Sequence, residues 1–227
     1  MSDSNIVRID IRAAMAYMEE QGARMVRYRY SKTNTCDWLS EISPQTEAEK
    51  WLAFHLAHPE FQHAPASVRL HHKWSGGLSD HVRQMIGICL DIKQLYAGDW
   101  GAVSISDIII GCYIHDFAKI WKYEKLTAEE LAQLKDNEKG QEFRYKDGAF
   151  RYVTEEVKLI QELAKHGIQL TELQAGSLLF AEGGYSDAHF GFAGRTETST
   201  TGHTTNPLAV LISIADLYSA CILGGST

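Results

Sequence analysis

No apolar run in the 227-residue sequence approaches the ~18 residues that a membrane span requires, so no membrane partner is expected. The opening MSDSNIVRID lacks the basic start and apolar stretch of a secretory signal. Cys36, Cys89, Cys112 and Cys221 are scattered without a CxxC pair, which argues against a disulfide framework and a zinc–thiolate site. They read as reduced, mostly buried thiols in a cytoplasmic protein. An excess of basic charge is also missing. The 29 acidic and 22 basic residues leave a formal charge of -7, which gives no general attraction to nucleic acid. Internal repeats and a heptad seam are absent as well.

What is present is an ordinary globular composition, 44% hydrophobic and 22% charged, in a length that suits one domain over 1–227. Ile11, Met15 and Met18 share a face of a helix over 9–21, and the alternation of 25–30 suits a short strand. Ser43-Pro44 starts a helix, as cap and first helical residue, that Pro59 ends. Gly76-Gly77 feeds a helix from Leu78 to Tyr96. A further helix begins near Ser106, runs through Ile108-Ile109-Ile110 and carries His115-Asp116. Thr127 with Glu130, and Thr171 with Gln174, form capping boxes. Phe143 to Val153 reads as a hairpin turned by Asp147-Gly148. Thr154 opens a helix closed by Gly167. Residues 183–206 form a long Gly/Ser/Thr-rich loop, and Asn206-Pro207 starts a last helix over 207–223. The expected fold is mostly α, with one or two minor β-hairpins and residues 1–65 as a helical extension.

Chemistry is concentrated where charge interrupts apolar helices. Asp216 is the one charged residue between Leu208 and Leu223, and a carboxylate on a helix buried all round needs a cation or a dense set of donors. His115-Asp116 follows Ile109-Ile110-Gly111-Cys112-Tyr113-Ile114 at the end of a second buried helix. His81 begins the apolar stripe His81, Met85, Ile88, Ile92, Leu95 of a third. Taken singly, His81 and His115 read first as hydrogen-bonded core residues, and for Asp216 that reading is the lesser alternative. Together they offer two imidazoles and two carboxylates, an N/O set suited to one Mn, Fe, Co, Ni or Zn ion, with Mg as an option.

The ordered set His81 … His115-Asp116 … Asp216 resembles the signature of the HD-domain metal-dependent phosphohydrolase superfamily. The context is similar too: His71-His72-Lys73-Trp74-Ser75-Gly76-Gly77-Leu78-Ser79-Asp80-His81, then His115-Asp116-Phe117-Ala118-Lys119, then Ser213-Ile214-Ala215-Asp216. The similarity spans roughly 70–220. It implies an HD-type helical bundle with His81, His115, Asp116 and Asp216 as metal ligands. It also implies that Lys119 points towards a phosphate, and that metal-activated hydroxide cleaves a phosphoester or phosphoanhydride of a nucleotide, deoxynucleotides included.

Two-metal members carry extra histidines where this sequence has Thr154-Glu155-Glu156 and Ala181-Glu182. One tightly held metal is therefore expected, a second being weak or absent, with Glu182 available to orient water or to hold a second ion. His72 and Lys73 are placed to reach a phosphate from the rim, with His71 beside them. His55 and His58 read as helix-packing residues. Arg144, Lys146 and Arg151, interleaved with aromatics, offer a surface for a base and phosphates. The expected partner is a phosphorylated small molecule, nucleic acid being less favoured, and self-association stays open. Two alternatives stand beside hydrolysis: a non-catalytic nucleotide or nucleic-acid binding module, and a di-iron oxygenase.

Overall fold

The computed structural model describes residues 34–96, 100–135, 140–180, 195–198 and 202–223, the strands within 195–205 as backbone only. The helix and strand expected at 9–21 and 25–30, and Glu182, lie outside them.

The described chain is mostly helical. Asn34 and Asp37 exchange capping-box hydrogen bonds at the start of α1 (Thr35–Ser40). Pro44 lies one position earlier than expected, at the N-cap of α2 (Gln45–Ala57), where its carbonyl accepts from the Glu47 and Ala48 amides. Pro59 ends α2 as expected and leads one 3-10 turn, Pro59–Gln62. Helix α3 (Gly77–Leu95) is followed by α4 (Ile105–Ile114), which Ser104 caps with Asp107. Short α5 (Lys119–Lys122) and α6 (Ala128–Ala132) come next, the second opened by the Thr127–Glu130 box. Thr154 caps α7 (Glu155–Lys165). Thr171 and Gln174 close the box before α8 (Glu172–Phe180), and Asn206 caps α9 (Pro207–Tyr218), which runs on as a π turn over Ser219–Leu223.

Helix α9 packs on α3, α4 and α8, while α4 also touches α3 and α8. Beside this group, α2 contributes Trp51 and Phe54 to an aromatic layer with Phe61, Tyr113 and Phe117, all nearly inaccessible. Burying each such ring contributes roughly 1.5–3 kcal/mol. Residues 34–65 are thus part of the same core. His55 bridges the layers: Gln62 donates to its Nε2 at 2.7 Å, so its Nδ1–H donates to the Tyr113 hydroxyl at 2.9 Å. Its packing role is as expected. No helix among the described residues is long and apolar enough to cross a membrane.

Two expectations on β structure are corrected. Phe143 to Val153 does not fold back on itself. Instead β2 (Phe143–Tyr145) pairs antiparallel with β1 (Tyr123–Lys125), Tyr123 opposite Tyr145, and 146–153 form turns and bends. The reason is anchorage. Phe143 is buried, Arg144 pairs with Glu124 and Glu130 at 2.6 and 2.5 Å, whereas Tyr152 would have nothing to pack on and is 87% exposed. The basic set is thereby divided, Arg144 being held in a β1–α6 ion-pair network. The stretch 183–206, expected as one loop, contains the antiparallel pair β3 (Arg195–Thr198) and β4 (Gly202–Thr205).

Candidate metal centre

Four side chains from three helices converge on one point. His81 lies in the first turns of α3, His115 caps the C-terminus of α4, Asp116 follows it, and Asp216 comes from the last turn of α9. Helix α4 stops at Ile114, two residues short of the expected reach through Asp116. There the ladder tightens: the amides of Phe117, Lys119 and Ile120 bond carbonyls three residues back. That tightening brings the Asp116 carboxylate round to 3.3 Å from His115 Nε2, where consecutive residues of a straight helix would diverge.

Close helix approach supplies the rest. A Cβ on Gly111 would lie 2.5 Å from the Ile212 side chain, so the missing side chain lets α9 sit against α4 and deliver Asp216. A Cβ on Gly77 would lie 1.9 Å from the His72 carbonyl oxygen, so the segment before α3 rests directly on that glycine. Gly76 and His72 both take positive φ, 88° and 45°. For a histidine this conformation is strained; the Ala66 amide bonds the His72 carbonyl at 3.0 Å and helps hold it.

His81 Nε2 stands 3.1 Å from an Asp216 oxygen and 3.5 Å from an Asp116 oxygen, and His115 Nε2 is 3.9 Å from Asp216. Ligands ~2.1 Å from one ion are separated by roughly 3.0–3.4 Å in tetrahedral or octahedral sites, close to this spread. The other imidazole nitrogens are occupied. His115 Nδ1–H donates to the Cys112 carbonyl at 2.9 Å. His81 Nδ1–H donates to Ser219 Oγ at 2.9 Å, and that hydroxyl donates to Gln84 Oε1 at 2.8 Å. In the neutral rings both Nε2 atoms are therefore lone pairs facing carboxylates. They are also buried without a hydrogen-bond partner among the described residues. Two lone pairs and two carboxylates around one point repel each other unless a proton or a metal cation lies between them, and this donor set fits a divalent transition ion.

The charges respond accordingly. Burial lowers the affinity of His115 for a proton, but the Asp116 and Asp216 carboxylates outweigh it and raise its pKa to about 9. Burial would raise Asp116, yet His115 and Lys119 hold it well below the usual carboxylate range. Burial dominates at His81, which is lowered. The site opens beside Asp216, whose side chain is 38% exposed. This corrects the expectation of an α9 buried all round: Val210, Ser213, Asp216 and Leu217 mark a less buried stripe.

Lys119 Nζ pairs with Asp116 Oδ2 at the edge of the site. Lys73 is partly exposed on the approach to α3. His72 is not at a rim but fully buried, its Nε2–H donating to Gln84 Oε1 at 2.9 Å. Its remaining Nδ1 then accepts from His71 Nδ1–H at 3.2 Å, which leaves His71 Nε2 as a free lone pair on a ring 5.0 Å from that of His81. Burial lowers His71 to about 4 and His72 to about 3, keeping both neutral. Gln84 and Ser219 were missed from sequence, although each lies three residues beyond a named ligand, on the same helical face. The chain matches no family model, no curated protein and no solved structure.

Proposed function

We propose that the chain is a metal-dependent phosphohydrolase acting on a phosphorylated small molecule, a nucleotide by its sequence resemblance. The observation that carries this reading is a pair of buried nitrogens, His81 Nε2 and His115 Nε2, unpartnered among the described residues and aimed at two carboxylates. His81, His115, Asp116 and Asp216 would hold one divalent ion, leaving its open positions on the Asp216 side. When bound, the ion supplies a Lewis acid for a phosphoryl oxygen and lowers the pKa of a water.

The protein's own groups do the remaining work. The Cys112 carbonyl and Ser219 hydroxyl hold both ligand rings in the tautomer that presents Nε2. Lys119, with three donors, can retain Asp116 while directing another N–H at a phosphoryl oxygen, where its charge would stabilise the transition state. His71, whose ring lies 5.0 Å from that of His81, would be the nearby neutral proton acceptor. Lys73 would meet a phosphate at the approach.

The test is a phosphoester and phosphoanhydride panel, nucleotides included, with chelator-stripped protein reloaded with Mn, Fe, Co, Ni, Zn or Mg. Turnover in wild type that falls to background in Asp116→Ala, with bound metal lost, is the expected result. Hydrolysis of no panel member with any ion would overturn the reading. Nucleotide binding that survives His115→Ala would replace it with a binding module.

A further inference from the structure

A second convergence of histidines lies where α2 ends against α7. His58 terminates α2, and its Nδ1–H donates to the Phe54 carbonyl at 2.8 Å. The ring is packed on Phe54, Phe117 and Trp121, with centroids 4.5, 5.4 and 5.9 Å away, so its position is fixed. That arrangement leaves Nε2 as a lone pair, and it faces Glu162 Oε1 at 3.8 Å. From α7, Glu162 and His166 are four residues apart on one face, and His166 Nε2 lies 4.0 Å from the same oxygen. Lys165 takes the other Glu162 oxygen at 2.5 Å. The three inward atoms all fall within 4.8 Å of one another.

These separations exceed hydrogen-bonding distance, so the three groups surround a gap rather than satisfy one another. Side-chain shifts of up to about 1 Å would bring them to the roughly 3.0–3.4 Å spacing of ligands sharing an ion. Two imidazoles and one carboxylate make a borderline donor set. The backbone carbonyl behind His58 and the aromatic shell around it are the supports that metal-binding histidines commonly have. The side chains of Glu162 and His166 are 22% and 27% exposed, so solvent can complete the coordination from outside.

We propose that His58, Glu162 and His166 form a second divalent-metal site of the zinc class, which fastens the C-terminal end of α2 to that of α7. It shares no residue with the His81 centre, and its reality does not depend on hydrolysis.

Chelator-stripped wild type, Asp116→Ala, His166→Gln and the double variant would be equilibrated with Zn2+ and measured for bound zinc per chain. Co2+ substitution would give a visible d–d spectrum as an independent readout. The expected result is about two ions in wild type, one in each single variant and none in the double variant. The Co2+ band retained by Asp116→Ala should disappear on adding His166→Gln, and Zn2+ should raise the melting temperature of Asp116→Ala but not of the double variant. If Asp116→Ala does not fold, wild type against His166→Gln decides: loss of one ion supports the site, equal stoichiometry overturns it. An ion retained by Asp116→Ala that His166→Gln leaves in place also overturns it. Wild type with one ion, lost only in His166→Gln, would uphold this site while removing the metal premise of the proposed hydrolase.

Discussion

The His81 and His58 clusters use similar donors but differ in how the chain holds them. At the first, ligands from α3, the α4 terminus and α9 meet at the core, and every imidazole Nδ1 is tied to another element or to the helix behind it. At the second, two elements meet at the protein margin, and Glu162 is shared with an exposed lysine. The lesson is about cost. Buried nitrogens left without partners would destabilise the core unless a ligand satisfies them, whereas partly exposed ones can be satisfied by water. The inner cluster is therefore a commitment of the fold, and the outer one an addition to it.

Backbone substitutions should separate the two most sharply. Gly77→Ala places a methyl against the His72 backbone, which has no rotamer to yield. We expect it to cost more than the ~1–3 kcal/mol usual for overpacking and to abolish metal at His81. Gly111→Ala meets the flexible end of Ile212 and should fall within that range, as measured by urea unfolding. Equal costs would show that His72 does not rest on Gly77. Neither change should alter His58.

A smaller effect is expected from Ser219→Ala, which frees His81 Nδ1 and lets the ring turn. Metal affinity at the inner site should weaken about 10–100-fold in a competition titration, with little change at the outer one. Unchanged affinity would mean that packing alone orients His81.

The smallest change to metal binding should come from Lys119→Gln. Inner-site affinity should shift by only a few-fold, while turnover of a phosphorylated substrate falls further through kcat than through KM. A collapse of metal binding instead would assign Lys119 to holding Asp116 alone.

Much of the helical content was legible because its signals are local. Capping boxes at Thr127 and Thr171, the stop at Pro59 and the stripe from His81 to Ile92 all act within a few residues. The hairpin at Asp147-Gly148 was misread because turn chemistry is permissive, and the burial of Phe143 decided the pairing. His72 was misplaced since nothing local shows that a histidine beside a lysine lies under the core. The outer cluster was half visible: Glu162 and His166 show helical spacing, but their partner is 104 residues away from Glu162 in His58.

The sequence by itself determined the longer helices and which of them carry polar groups on apolar faces, because helical periodicity and capping are encoded over a few residues, whereas the short helices Thr35–Ser40 and Lys119–Lys122 left no such periodic signal. Only the tertiary structure decided that those groups meet, which imidazole nitrogens are left bare and which glycines permit the approach. Those outcomes depend on packing between segments up to 138 residues apart, as for His81 and Ser219, where close contact and burial fix the geometry.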